Sequence, residues 1–351
     1  MSKFIKIHFC DNSSKTVSIQ RATTAQQLVD SLVEKLSITA EPETFCLFEV
    51  RAEVERCIHK DEIPFEILSV WGNDKSAKFL FKKRYYMTPQ VLPTAETDLH
   101  MLYIQSRSDI LSGELSCSEE EVIALAGLHC QISFGDHNQA RHVVGFLTRA
   151  LHDYVPTTVF KSMEPRRWEE LIFEQHAKLA GKSAVDCMKS FLEKCKAFTS
   201  YGQILFPVKW ASEGSRRVNL RAIIAVGITG VSILRIPTKE VMANHPFNDI
   251  LSWGCSATTF AFTVGDPETI SAGIAEQRKF TFETRKGNEI AAALQGYVDL
   301  LIIQLSKEDE NQDASAVVEQ VSVEEKPQKQ GQAKVEEKEE EQNDVEDNAD
   351  E

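Results

Sequence analysis

The chain has 351 residues, of which 42% are hydrophobic and 26% are charged, and its formal net charge is −14. This length exceeds one ordinary hydrophobic core and predicts two or three domains. Residues 307–351 hold 17 acidic and 5 basic side chains, which leaves 36 acidic and 34 basic side chains for the rest. The acidic balance therefore belongs to one segment, and it does not exclude an anion-binding surface elsewhere.

The cysteines and the apolar segments indicate a compartment. Eight cysteines are scattered without a CxxC pair, and the start "MSKFIKIHFCDNSS" lacks the apolar segment of a signal peptide. We expect reduced thiols in a cytosolic protein. The stretches "RAIIAVGITGVSILRI" and "IAAALQGYVDLLIIQL" are too short or too interrupted to predict a membrane span.

Residues 1–86 are predicted to form a ubiquitin-like roll. "FIKIHF" alternates roughly at strand period, and "KTVSIQ" repeats the pattern after the turn "DNSS". Thr24 and Gln27 have the spacing of a capping box and precede a helical apolar stripe. "TFCLFEV" and "AKFLFKKR" supply two more strands.

Residues 95–200 are predicted to be an all-helical bundle. "DLHMLYIQSRSDILSG" is helical with a glycine stop, and Ser118 and Glu121 form a second capping box before "VIALAGLHCQISFG". Two further helices are predicted in "RRWEELIFEQHAKLAG" and "AVDCMKSFLEKCKAFTS".

Within this bundle, the pair His129-Cys130 resembles the start of a tyrosine phosphatase loop. That loop needs an arginine six residues after the cysteine to hold phosphate oxygens, and here the position is Asp136. Cys130 also lies inside a helical pattern, without loop amides to lower its pKa. We expect Cys130 to be a core residue, and no motif for phosphate, cofactor or metal binding predicts an enzyme.

Residues 201–306 are predicted to form a PH/PTB-like barrel with one C-terminal helix. Strands are expected at 203–210, 217–227, 231–236, 247–253, 257–264 and 278–284. The acidic residues 307–351 are predicted to be disordered, because they offer too little apolar surface to offset ordering entropy. This tail acts either as a solubilising extension or as a mimic competing for the protein's own basic surface.

The strand 257–264 suggests a peptide-binding surface. Alternation directs its Phe and Val side chains inward and Thr259, Ala261 and Thr263 outward. If this strand is a sheet edge, its free backbone groups can add a peptide strand. The small residues Ala292 and Gly296 of the closing helix would leave room beside it.

Roll, bundle and barrel in this order resemble a FERM domain. "LYIQSRSDILSGELSCSEEEVIALAGLHCQISFGD" is similar to the start of the FERM helical lobe, which has an acyl-CoA-binding-protein-like fold. "TKEVMANHPFNDILSWGCSATTFAFTVGD" is most similar to the third lobe of the talin head, and the FERM part of MyTH4-FERM myosin tails is the nearest rival. The resemblance implies a cytoskeletal adaptor, peripheral at the plasma membrane and cell cortex, with no cofactor and no nucleic-acid partner.

The resemblance also implies partners and site residues. The third lobe would bind NPxY-type tails of adhesion receptors, with Trp253 either as anchor or merely closing the barrel. Ser252 departs from the talin pattern, which has a basic residue there. Docking to phosphoinositide membrane is implied for five basic residues, which are Lys178, Lys182, Arg216, Arg217 and Arg221. A small GTPase that binds the first lobe is the alternative partner.

Overall fold

The computed structural model describes residues 2–52, 54–266 and 277–324, with the side chains of the last helix described up to residue 307. One compact unit is Met1–Leu300, and it holds three lobes in chain order. The second unit, Leu301–Glu351, continues the last helix as far as Glu324.

The first lobe is a five-stranded sheet covered by a helix. Its elements are β1 (Ser2–His8), β2 (Ser14–Gln20), α1 (Ala25–Leu36), β3 (Phe45–Arg51), β4 (Val54–Cys57), α2 (Pro64–Trp71) and β5 (Lys78–Lys83). The sheet order is β2-β1-β5-β3-β4, with β1 and β5 parallel. The predicted ubiquitin-like roll is confirmed, although the sequence did not predict the four-residue β4 or the proline-initiated α2, since neither shows a periodic apolar pattern.

Hydrogen bonds of the predicted capping box fix the start of α1. The Thr24 hydroxyl accepts from the Gln27 N–H at 3.3 Å, and the Gln27 side chain accepts from the Thr24 N–H at 3.1 Å. These bonds satisfy two backbone donors that a helix N-terminus otherwise leaves free. The apolar face then buries Leu28 and Leu32 against the sheet.

The second lobe consists of helices, as predicted. They are α3 (Glu96–Leu111), α4 (Glu119–Phe134), α5 (Pro165–Ala177) and α6 (Ala184–Lys196), with short 3₁₀ turns at Leu151–Asp153 and Phe160–Ser162. The Ser118–Glu121 capping box starts α4. Cys130 is 0% exposed, and burial raises the pKa of its thiol to about 12, so the prediction of a core cysteine is confirmed.

The third lobe is a seven-stranded antiparallel sheet closed by one helix. Its elements are β6 (Ile204–Glu213), β7 (Arg216–Gly227), β8 (Gly230–Arg235), β9 (Val241–Pro246), β10 (Ile250–Cys255), β11 (Thr259–Val264), β12 (Arg278–Glu283) and α7 (Gly287–Glu324). The predicted strand 247–253 starts three residues too early, and the sequence did not predict β9. Pro246 ends β9, a 3₁₀ turn follows at Phe247–Asp249, and β10 begins only at Ile250.

Aromatic rings fill the core of this lobe. Phe262 and Phe280 stack at 5.1 Å between ring centroids, and both are at most 1% exposed. Ile290, Leu294 and Tyr297 of α7 are 0% exposed against them. The sheet buries one apolar stripe of α7, and this burial of apolar surface holds the helix against the lobe.

The last helix extends beyond the predicted end of the third lobe. Disorder was predicted from residue 307, but the helix continues to Glu324, through a stretch with four Glu, two Gln and two Ala, which are good helix formers. Residues 325–351 lie outside the described part. The stretch 290–305, predicted to be too short or too interrupted to span a bilayer, lies in a helix whose span Gly287–Lys307 is long and apolar enough by length and composition alone, with mean hydropathy 1.2. Its first four turns nevertheless belong to the core of the third lobe.

The second lobe is bound to the first through buried polar contacts. The Asp98 carboxylate accepts from the backbone N–H groups of Thr39 and Ala40 and from the Thr39 hydroxyl, at 2.7–3.2 Å. The Gln105 amide exchanges two hydrogen bonds with the backbone of Lys83, at 3.0 and 2.8 Å.

The third lobe contacts both of the others. Lys239 donates from Nζ to the carbonyl of Gly113 at 2.7 Å, at the end of α3. Tyr85, just after β5, packs edge-on against Tyr297 of α7 with centroids 5.0 Å apart. The three lobes therefore share contacts around one centre within the compact unit.

Candidate functional site

Among the described strands, β10 is one of the two edges, or free margins, of the third-lobe sheet and β9 is the other, and the condition that β11 be an edge is not met. The sheet order is β10-β11-β12-β6-β7-β8-β9, so β11 is paired on both sides. On its other side, β10 has no paired strand among the described residues. The backbone groups open to a further strand therefore lie on Ile250–Cys255, one strand before the predicted one.

Side chains on β10 and β11 form a shallow concavity beside this margin. Phe260, Phe262 and Val264 point into the core, as the alternation predicted. The partly exposed residues lining the concavity are Ser252, Trp253, Gly254, Cys255, Ser256, Thr259, Ala261, Thr263 and Lys279. Four of the six predicted peptide-site residues are thus brought together.

Trp253 lies on the free strand itself. It pairs across the sheet with Phe262 and is partly buried against the third-lobe core. Its ring thus helps to close the barrel and also presents apolar surface at the margin. Both interpretations of Trp253 that the sequence left open fit this position.

The first turn of α7 is held against the end of β10. A Cβ added to Gly287 would lie 2.7 Å from the Cys255 Cβ and 3.0 Å from the Thr259 carbonyl oxygen, so only glycine allows this approach. The Cys255 thiol donates to the Asn288 side-chain oxygen at 2.9 Å. These contacts place the helix start beside the strand end and limit the length of the open margin.

Ala292 and Gly296 do not line this margin. A Cβ on Gly296 would clash with the ring and hydroxyl of Tyr85, and that hydroxyl lies 3.5 Å from the Ala292 carbonyl oxygen. Gly296 therefore accommodates a tyrosine of the chain itself, and Ala292, although exposed, is not among the residues that line the concavity. Sequence spacing could not show this, because Tyr85 is more than 200 positions away.

Arg216, Arg217 and Arg221 are exposed along the start of β7. Glu213, expected to neutralise them, instead forms an ion pair with Arg278 at 3.1 Å. Arg221 faces Lys209 directly across the β6–β7 pair. None of the three arginines forms an ion pair with a residue that the structure describes, and their charges accumulate on one hairpin.

Lys178 and Lys182 lie in the second lobe, at the end of α5 and in the turn before α6, and both are exposed. No contact among the described residues joins them to the β7 arginines. The sequence missed two neighbouring lysines. Lys209 on β6 forms an ion pair with Glu283 at 3.0 Å, whereas Lys279 on β12 is exposed.

Within the described residues, no group of three or more His, Cys, Asp or Glu is placed to hold a metal ion. The third lobe thus presents a strand margin with an aromatic side chain and a basic β6–β7 hairpin, which β11 and β12 separate from that margin in the sheet. This arrangement suits recognition of an extended peptide and of an anionic surface.

Three family matches cover the lobes in order. Residues 1–85 match an RA-like domain, residues 89–206 match the FERM central domain, and residues 206–302 match a PTB domain of the IRS-1 type.

Similar proteins agree with these matches. The chain is 26% identical to a talin of Oscarella pearsei over 324 residues, covering 85% of this chain and 12% of the relative. It is 27% identical to Talin-A of Dictyostelium discoideum over 320 residues, covering 90% of this chain and 23% of the relative. The chain thus spans at most about a quarter of these relatives.

A solved structure shows the same fold. The human Myosin 7b C-terminal MyTH4-FERM domain, solved in complex with the harmonin-a PDZ3 domain, superposes with a TM-score of 0.66 at 22% identity. The match covers 86% of this chain and 60% of that one. The matches to the three lobes cover residues 1–85 and 89–302, and the chain therefore contains a FERM domain with an RA-like, a FERM central and a PTB lobe and is similar to talins over most of its length.

Proposed function

We propose that this chain is a non-enzymatic adaptor that holds receptor tails at the membrane and links adhesion receptors to the actin cortex. The observation that carries the proposal is the unpaired margin of β10 in a PTB-like lobe, with Trp253 on it. The talin relatives support a cytoskeletal role. Such a protein would act in the cytoplasm, at the cortex.

In the proposed mechanism, an NPxY-type receptor tail adds as a strand to β10. Backbone hydrogen bonds along Ile250–Cys255 would supply affinity that is independent of sequence. Alternate side chains of the peptide would contact Trp253 on one face and the Thr259, Ala261 and Thr263 concavity on the other. Trp253 is the residue that would contribute most, since it is the large aromatic of this surface.

The test measures binding of a fluorescent NPxY-type tail peptide by polarisation. Trp253→Ala should weaken affinity about tenfold or more, the usual effect of removing an aromatic anchor. The control is Val241→Ala, which removes a side chain 52% exposed on the opposite edge strand β9 and should leave affinity unchanged. Equal affinity of both variants and wild type would remove Trp253 from the site.

A second experiment tests strand addition separately from side-chain contacts. The same peptide with N-methyl groups at alternate backbone amides keeps its side chains but loses backbone donors. We expect one of the two N-methyl registers to bind about tenfold more weakly and the other to bind nearly normally. If neither register affects binding, the peptide does not add to β10.

Membrane docking is the second part of the proposal. The exposed Arg216, Arg217 and Arg221 would contact phosphoinositide headgroups, each contributing about 1 kcal/mol near an anionic leaflet. Lys178 and Lys182 are proposed to add attraction from the second lobe.

Vesicle co-sedimentation tests this part. Arg216→Gln, Arg217→Gln and Arg221→Gln combined should lose most binding to phosphatidylcholine vesicles that contain phosphatidylinositol 4,5-bisphosphate. The matched control neutralises three exposed lysines of the first lobe, Lys6, Lys35 and Lys75, and should bind like wild type. Binding that ignores the phosphoinositide content would contradict the proposal.

A small GTPase is the second candidate partner, and a specific observation favours it. The first lobe matches an RA-like domain, and β2 is the outer strand of its sheet. Titration of the full chain with a GTP-loaded and a GDP-loaded small GTPase distinguishes this role. A cargo adaptor of the myosin-tail kind would instead bind its partner regardless of nucleotide.

A further inference from the structure

Two cysteines of the first lobe lie side by side where that lobe meets the third. Cys57 on β4 pairs with Phe48 on β3, which places Cys46, two residues earlier on β3, diagonally opposite on the same face. Both side chains are partly buried, and each thiol is the largest influence on the pKa of the other. Cys46 also packs against the hydrophobic core of the third lobe.

A partly buried arginine completes this group. Arg84 follows β5, and its Nε is buried without a hydrogen-bond partner among the described residues. Within that same part of the chain, no carboxylate forms an ion pair with Arg84. A guanidinium whose Nε is buried is stabilised by a nearby anion. The Cys57 thiolate is the group placed to supply it.

The two thiols therefore differ in pKa. The neighbouring Cys46 thiol, together with the charge of Arg84, lowers the pKa of Cys57, while the Cys57 thiol raises the pKa of Cys46. As a neutral thiol, Cys57 donates weakly to the Ile58 carbonyl at 3.7 Å. One sulfur is thus a nucleophile at neutral pH, and its neighbour keeps its proton.

A cavity gives access to Cys57. It has a volume of about 160 Å³ and is lined by residues of all three lobes, including Cys57, Arg84, Asp109 of α3 and Gln203. A bound water needs only about 10–15 Å³ of such volume, so a small hydroperoxide fits. Burial raises the pKa of Asp109 to about 8, and its carboxyl can act as a proton donor in the same cavity.

We propose that Cys57 and Cys46 form a reversible oxidation site for small hydroperoxides. The Cys57 thiolate attacks the distal peroxide oxygen, the O–O bond breaks, and the leaving alkoxide or hydroxide takes a proton to become alcohol or water. The resulting Cys57 sulfenic acid then reacts with the Cys46 thiol, forming the S–S bond and releasing water. Two thiols are oxidised by two electrons, and one peroxide bond is reduced.

Oxidation has a structural consequence in this location. The disulfide is neutral, so the buried Arg84 loses its anion. The next residue, Tyr85, is the one that packs against Gly296 and Tyr297 of α7. The oxidised chain should therefore melt at a lower temperature than the reduced chain.

The experiment uses the full reduced chain at neutral pH with stoichiometric hydrogen peroxide. Free thiols are then alkylated, and unreduced peptides are identified by mass spectrometry. The expected product is a peptide pair joined through Cys46 and Cys57, lighter by two hydrogen atoms and released by dithiothreitol. Cys57→Ser should abolish it, whereas Cys255→Ser, which changes an exposed thiol, should not.

The rate of Cys57 oxidation tests the role of Arg84. Arg84→Gln should slow oxidation of Cys57 about tenfold or more, because the thiolate fraction falls as its pKa returns to normal. If that variant fails to fold, the thiolate fraction of Cys57 can be measured in the wild-type protein. The pH profile of Cys57 alkylation should then have a lower midpoint than that of Cys255.

Three results would overturn the proposal. Cys57 could remain reduced under conditions that oxidise Cys255. Its disulfide could form with a cysteine other than Cys46. The alkylation midpoints of Cys57 and Cys255 could coincide.

Discussion

At the scale of single residues, position in space changes what a side chain does. Gly296 looked like open room for a ligand, yet the space above it is filled by Tyr85 of the first lobe. Gly287 permits the same kind of close approach between the start of α7 and the β10–β11 turn. Both glycines thus act in packing, and neither is conformationally required, since neither has a positive φ.

Gly296→Ala should destabilise the protein by about 1–3 kcal/mol, because the added methyl group meets the Tyr85 ring in a packed interface. Differential scanning fluorimetry should show a lower melting temperature. The control is Gln295→Ala, an exposed neighbour on the same helix, which should change stability little. Combining Gly296→Ala with Tyr85→Leu should recover part of the loss, and strict additivity of the two changes would argue against their contact.

At the scale of elements, burial lowers the pKa of three histidines of the second lobe. Burial lowers the pKa of His129 on α4 to about 3, with a further contribution from the charge of Arg107. The Tyr103 hydroxyl lies 2.5 Å from its Nδ1. Burial also lowers the pKa of His142 and His176. These histidines are neutral in the fold and gain protons when the chain unfolds in mild acid.

The helical lobe should therefore lose stability as pH falls below about 6.5, the unfolded pKa of histidine. The unfolded chain binds a proton there and the folded His129 does not, so stability is present above that pH and is lost below it. Between pH 7.5 and 5.5, His129 alone should account for about 1.4 kcal/mol of the loss.

Urea unfolding at both pH values checks this expectation. His129→Gln keeps an acceptor for Tyr103 and should show a smaller loss by that amount. His100→Gln changes an exposed histidine of α3 and should behave like wild type. Identical pH dependence in wild type and His129→Gln would contradict the assignment.

At the scale of the whole molecule, a few polar contacts fix the lobes to one another. Lys239, in the turn between β8 and β9, donates to backbone carbonyls at the end of α3. An ammonium bound to the free carbonyls of a helix end is favoured by their partial charge. This contact joins the third lobe to the second.

Lys239→Met should remove this contact and cost about 1–2 kcal/mol, the range of a charge-assisted hydrogen bond in a partly exposed site. Hydrogen exchange should become faster at the end of α3 near Gly113, and the β11–β12 core should be unaffected. Lys75→Met, an exposed lysine of the first lobe, is the control. Unchanged exchange near Gly113 would show that other contacts hold the two lobes.

Much of the fold could be predicted from the sequence because its signals are local. Thr24 and Ser118 start helices through bonds to residues three positions away, and Phe260 and Phe262 face inward because side chains alternate along a strand. Cys130 was correctly assigned to the core on the helical pattern around it. The strand boundaries near Pro246 failed, since a short turn and a short strand leave too few residues for a period to appear.

The candidate site depended on information that local patterns do not contain. By itself the sequence determined most of the helices and strands, the order of the three lobes, and the inward and outward faces of β11. Only the tertiary structure decided that β10 is a free margin, that Tyr85 fills the space above Gly296, and that Cys46, Cys57 and Arg84 meet. Strand neighbours and contacts between lobes join residues far apart in the chain, and their pairing is set by how whole surfaces pack together.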